Sequence, residues 1–119
     1  AEEYLAAIVH VMGPQQGIKA VSIAAECDRS KKQSEICDVA NLVDNGAGVI
    51  VVTDMFGGSP SNLSMKACDC DNRRILYGAN LPMLLKLAKS RSMSVDQALN
   101  VSMEAGKKYI NCCNSSAGI

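Results

Sequence analysis

The residues whose types and spacing can do chemistry crowd into one stretch, Thr53-Asp54-Met55-Phe56-Gly57-Gly58-Ser59-Pro60-Ser61-Asn62. Asp54 closes an apolar β-branched run, so it falls at the carboxyl end of a strand, where open α/β sheets hold their ligands. Gly57 and Gly58 permit backbone angles and close approaches that a Cβ blocks. Ser59 has the chemistry of a helix N-cap, and Pro60 suits the first helical position. The pattern predicts a carboxylate beside unsatisfied helix N–H groups, a place to hold an anion. Asn80, in Gly78-Ala79-Asn80, is a further cap expected at the same sheet edge. Each residue also has a plain structural reading: Asp54 as a loop cap, Ser59 and Asn80 as helix starts, the glycines as backbone necessities. Their convergence is what favours a site.

The elements that must position these residues follow from periodicity. Val49 to Thr53 shows no alternation, which suits a central strand buried on both faces of a parallel sheet. Residues 2 to 12 carry Tyr4, Leu5, Ile8, Val11 and Met12 at helical spacing, ended by Gly13-Pro14. Glu3 and His10 share the wetter face of that helix. Ile18 to Ile23 is a short strand candidate. Ser30-Lys31-Lys32-Gln33 has the form of a capping box, opening a helix through Ile36, Val39, Ala40 and Val43. Downstream come a helix from Pro60 to about Ala67 and a strand from Arg74 to Tyr77. Asn80 then caps a helix with Pro82 in its first turn, and Ser94-Val95-Asp96-Gln97 opens a last helix to Tyr109.

Strands alternating with helices predict an α/β fold: a doubly wound, mainly parallel open sheet with helices on both faces. Residues 1–110 read as a single domain and 111–119 as a flexible tail. An α/β layer normally opens on a strand, so one is expected ahead of the first helix.

Composition narrows the function classes. A chain of 119 residues, 48% of them hydrophobic, suffices for one core. Twelve basic and twelve acidic residues cancel, which gives no pull toward nucleic acid or an anionic membrane. Aromatic residues make up only 3%, too few for base-stacking platforms. No apolar run nears the ~18 residues of a membrane span. The six cysteines include no C-x-x-C pair, and the one histidine, His10, has no partner cluster. They read as reduced thiols in a cytoplasmic protein, with no metal site.

The segment Val49 to Asn62 resembles the mannose-type enzyme IIA component of the bacterial phosphoenolpyruvate-dependent sugar phosphotransferase system. Tyr77-Gly78-Ala79-Asn80-Leu81-Pro82-Met83-Leu84 is similar to a second stretch of that family. Val11-Met12-Gly13-Pro14-Gln15 and Ala105-Gly106-Lys107-Lys108-Tyr109-Ile110 match its first and closing helices. The resemblance implies a phosphocarrier without cofactor. A histidine takes a phosphoryl group from the phosphocarrier protein HPr and passes it to a IIB partner, or serves a regulatory target. The acid matching Asp54 holds one ring nitrogen so that the other is the nucleophile, with Ser59, Gly57, Gly58 and Asn80 around the phosphoryl group. It also implies a homodimer to which C-terminal elements contribute, with sugar specificity lying in membrane components. The family's acceptor histidine lies in a Thr/Ser-His-Gly loop ahead of the first helix, where this sequence starts. His10 matches the last turns of that helix and is not expected to be the acceptor; a strand and histidine upstream are.

Two other classes fit parts of the pattern. A receiver-like domain would use Asp54 itself as phosphoacceptor, but needs an acidic pair after an earlier strand, and Ile23-Ala24-Ala25-Glu26 supplies one acid. A IIA-like module without its phosphohistidine would only bind partners.

Overall fold

Side chains along a strand alternate between faces, and in Val49–Thr53 (β1) this alternation splits the core in two. In the computed structural model, which describes residues 1–70 and 72–115, Val49 and Val51 pack with Ile36 and Ala40 on one face. Val52 packs with Ile8, Leu84 and Ala88 on the other. The first cluster belongs to α2 (Arg29–Val43) and α3 (Ser59–Ser64), the second to α1 (Glu2–Met12) and α4 (Leu81–Lys89). A short 3-10 helix (Lys66–Cys68) leads from α3 to β2 (Arg73–Tyr77), and α5 (Val95–Lys108) packs along α4. β1 and β2 are parallel, paired from Val49↔Arg73 to Thr53↔Tyr77. The fold is therefore α/β, an open parallel sheet with helices on both faces.

The start of this pairing is fixed by a tight crossing. Val49 N–H donates to Asn72 O at 3.2 Å, and Asn72 Nδ2 donates to Ala47 O at 2.7 Å. Gly48, between them, has φ 120°, and a Cβ there would lie 2.6 Å from Asn72 O. Next to it, Arg73 is buried. Its Nη1 donates to Ala67 O, and its Nη2 to Asn41 Oδ1 and Asp44 Oδ2, each at 2.9 Å. The guanidinium thus ties the start of β2 to the end of α2.

Several sequence expectations are corrected. Ile18 to Ile23 forms no strand: among the described residues no neighbouring strand offers it a hydrogen-bonding ladder. Its apolar side chains are still used, Val21 and Ile23 against the α2/α3 cluster and Ile18 against the α1/α4 cluster. For the same reason β1 is not the central strand of a wide sheet. It is paired on one side only among the described residues, so Ile50, Val51 and Val52 are half-buried. The helix expected to open at Ser30 starts at Arg29 instead, because Asp28 accepts from Lys31 N–H at 3.1 Å and caps it first. Ser94 with Gln97 does form the expected capping box. The tail expected at 111–119 lies in part outside the described residues.

The hydrogen bond from Arg73, helped by the Gly46 N–H, holds the Asp44 carboxyl below its ordinary value of 3.8, against an opposing effect of burial. The unfolded chain therefore binds this proton more readily. The stabilisation is complete above pH 3.8 and is lost as pH falls through the lowered folded value. Asp44→Asn should lower the urea midpoint at neutral pH, and the gap to the parent should close in strong acid. A gap that persists unchanged in acid contradicts the assignment.

Candidate functional site

Parallel strands bring their carboxyl ends together, and here two backbone hydrogen bonds close the pair where the ladder ends at Thr53 and Tyr77. Ala79 N–H donates to Thr53 O at 3.1 Å and Gly78 N–H donates to Asp54 O at 2.9 Å. Asp54 and the Gly78-Ala79-Asn80 turn are thereby set side by side. The Asp54 side chain is exposed; Oδ1 accepts from Met55 N–H at 2.8 Å, and Oδ2 has no partner among the described residues. One carboxylate oxygen fixes the group, and the other is open to a ligand.

The remaining expected site residues divide by what their polar atoms do. Asn80 stands at the edge, but Oδ1 accepts from Met83 N–H and Nδ2 donates to Gly106 O, both at 3.0 Å. It caps α4 and ties it to α5, so its side chain is spent on the fold. Ser59 is not the N-cap of α3. Gly58 is, and its carbonyl accepts from Asn62 N–H at 3.0 Å. The helix starts one residue earlier than expected, which frees the Ser59 hydroxyl. Its Oγ instead accepts from Arg29 Nη1 at 3.4 Å. α3 has 6 residues, too few aligned peptides to supply the field expected of a helix N-terminus. Positive charge reaches this edge from Arg29, on a different element.

Three features were not read from the sequence. Arg29 sits in the first turn of α2, where a cation opposes the helix dipole, and that misplacement was its only signal. Phe56 and Tyr77 lie with ring centroids 5.1 Å apart, and both are exposed, as is Met55. Tyr4 OH donates to Ala79 O at 3.3 Å, which anchors the first turn of α1 to this edge. His10 is exposed further along α1, about 9 Å down the axis from Tyr4 at ~1.5 Å per residue. All six cysteines are free thiols. Among the described residues no helix is long and apolar enough to cross a membrane.

Together, the fold and this edge define an α/β domain whose ligand-accessible groups stand beyond the ends of parallel strands. The family model for the "PTS system fructose IIA component" (EIIA-man) matches residues 1–103, and the chain belongs to that family of phosphotransferase-system components. The PTS system mannose-specific EIIAB components of Escherichia coli K12 and Shigella flexneri are each 25% identical over 92% of this chain. The chain spans about a third (35%) of the length of these relatives. The crystal structure of the phosphotransferase system component EIIA from Streptococcus agalactiae superposes with a TM-score of 0.81 at 21% identity, over 98% of this chain and 89% of that one. A second solved structure, from Klebsiella pneumoniae, gives a TM-score of 0.76 at 23% identity, over 99% and 86%. These two likenesses show the fold.

The two loop glycines are not equivalent. Gly57 has φ 85°, a left-handed conformation, whereas Gly58 has φ −79°, open to any residue, and a Cβ there would meet ordinary contacts. Gly57→Ala should cost about 1 kcal/mol in denaturant unfolding, and Gly58→Ala less than about 0.5 kcal/mol. Equal costs would contradict this loop geometry.

Proposed function

We propose that this domain is the phosphocarrier of a phosphotransferase system, taking a phosphoryl group from HPr on a histidine and passing it to a IIB partner or a regulatory target. The observation that carries this reading is the Asp54 carboxylate, fixed through Oδ1 and open at Oδ2. Such a group accepts one imidazole N–H, so that the second ring nitrogen bears its lone pair toward the phosphorus. In the transfer, the bond from phosphorus to the donor breaks as the bond to that nitrogen forms. The ring proton stays on the nitrogen facing Asp54, and the carboxylate steadies the charge. Ser59 supplies a hydroxyl, while Gly57 and Gly58 shape the loop and Asn80 holds its far wall.

The exposed Met55, Phe56 and Tyr77 at the rim support a protein donor over a small molecule, because apolar surface beside a site suits a macromolecular contact. A homodimer in the cytoplasm belongs to the same reading, with exposed Tyr109 and Ile110 at the end of α5 as apolar surface for it. The acceptor in this reading is not His10. A nucleophile must come within ~2.6–3.2 Å of its orienting and reacting groups, and His10 faces solvent down the helix from Asp54.

A second reading attaches to the same carboxylate edge. A IIA-like module that binds partners without carrying phosphate would look the same. Incubation with phosphoenolpyruvate, enzyme I and HPr separates the two. The 119-residue chain should take no acid-labile label, whereas a chain extended by the family's strand and histidine should take it, and Asp54→Asn should then reduce it. No label in the extended chain favours the binding module. Acid-labile label on the 119-residue chain that His10→Ala abolishes would overturn the placement of His10, and base-labile label would point to Asp54 as acceptor.

A further inference from the structure

Arg29 is a cation in an electrostatically unfavourable position. It opens α2, where the helix dipole disfavours positive charge. The neighbouring Asp28 accepts from the Lys31 N–H through Oδ1 and forms no ion pair with Arg29. No acid among the described residues pairs with Arg29; its hydrogen bond runs across the gap between α2 and α3 to Ser59 Oγ, at 3.4 Å. A guanidinium only donates, so the Ser59 hydroxyl accepts from Arg29 and keeps its own proton to give elsewhere. Arg29 likewise retains donors beyond the one used on Ser59. Thr53 adds a third group. It lies on the strand face of Val49 and Val51, the α2/α3 side, and its buried Oγ1 has no partner among the described residues. Arg29 and Ser59 thus meet across the α2/α3 gap, on the side of β1 that Thr53 faces at its carboxyl end.

We propose that Arg29 is the anion-binding residue of this edge, taking the non-bridging oxygens of a phosphoryl group alongside the Ser59 hydroxyl. The inference rests on the phosphocarrier reading for its natural ligand, and it assigns a role that the Asp54 motif does not contain. The planar fork of arginine matches tetrahedral phosphoryl oxygens two at a time. No proton passes to or from Arg29; it balances the negative charge on the oxygens while the bonds to phosphorus change.

Inorganic phosphate titrated into the 119-residue chain, followed by the backbone amide shifts of Ser59 and Arg29, reads this site without any transfer chemistry. The parent should give saturable shifts. Arg29→Gln should weaken the apparent affinity by about tenfold, the effect of losing charge-assisted bonds, and Arg29→Lys should restore part of it. Arg29→Glu should abolish binding while raising the Tm, since an acid suits the first turn of α2. A residue that served only the fold would lower both. A parent without saturable shifts, or Arg29→Gln binding phosphate as the parent does, overturns the inference. Labelling of the extended chain keeps the two proposals apart. Label transferred at an unchanged rate in Arg29→Gln overturns this one and leaves the carrier standing. Arg29-dependent phosphate binding in an extended chain that never takes label upholds the anion site and removes the carrier.

Discussion

Everything at the candidate site depends on the parallel pairing of β1 with β2 and on the two backbone hydrogen bonds that close it at the strand ends. Parallel strands can place two loops at one edge only if their register is fixed, because a slip of one residue turns every side chain to the other face. The bonds from Ala79 to Thr53 and from Gly78 to Asp54 close the ladder beside the acid. They set the backbone of Asp54 against the turn that leads into α4. The carboxylate can therefore be exposed without being loosely placed.

The register is set at the opposite end. Asn72 and Gly48 cross closely enough that a Cβ at Gly48 would collide with backbone, and buried Arg73 ties the start of β2 to Asn41, Asp44 and Ala67. A buried guanidinium tolerates little displacement, since each lost partner leaves charge unsatisfied. Polar clamping at one end of the sheet thus serves precision at the other. The helices between carry the apolar load, one pair on each face, and deliver the first turns of α1 and α2 to the same edge as Asp54. Three parts of the molecule distant in sequence meet there: Tyr4, Arg29 and the stretch from Asp54 to Asn80.

Much of this was legible in the sequence wherever a local rule decides the outcome. The strand at 49–53, the Asn80 cap and the Ser94 capping box all formed as read, because strand runs and caps are set by neighbours in the chain. The two-faced α/β arrangement followed from the order of elements. What failed depended on partners far away. Ile18 to Ile23 has strand-like residues, but strand structure belongs to a ladder and not to a segment. Ser59 and Ser30 have N-cap chemistry, yet Gly58 and Asp28 reached the role first. Arg29 escapes a local reading because its contact with Ser59 spans thirty residues of sequence. Asn80 caps α4 as its neighbours in the chain predict, while its engagement with Gly106 depends on a distant element.

The most direct measurement of the central claim is amide hydrogen exchange at Gly78 and Ala79. Neither residue belongs to β2, so strand membership alone would not protect them. If their bonds to Asp54 and Thr53 close the sheet, both amides should exchange as slowly as those inside β2 and open with them as one unit. Exchange at the rate of an unprotected loop would mean that these two bonds do not hold, and that nothing in the sheet keeps Asp54 in place.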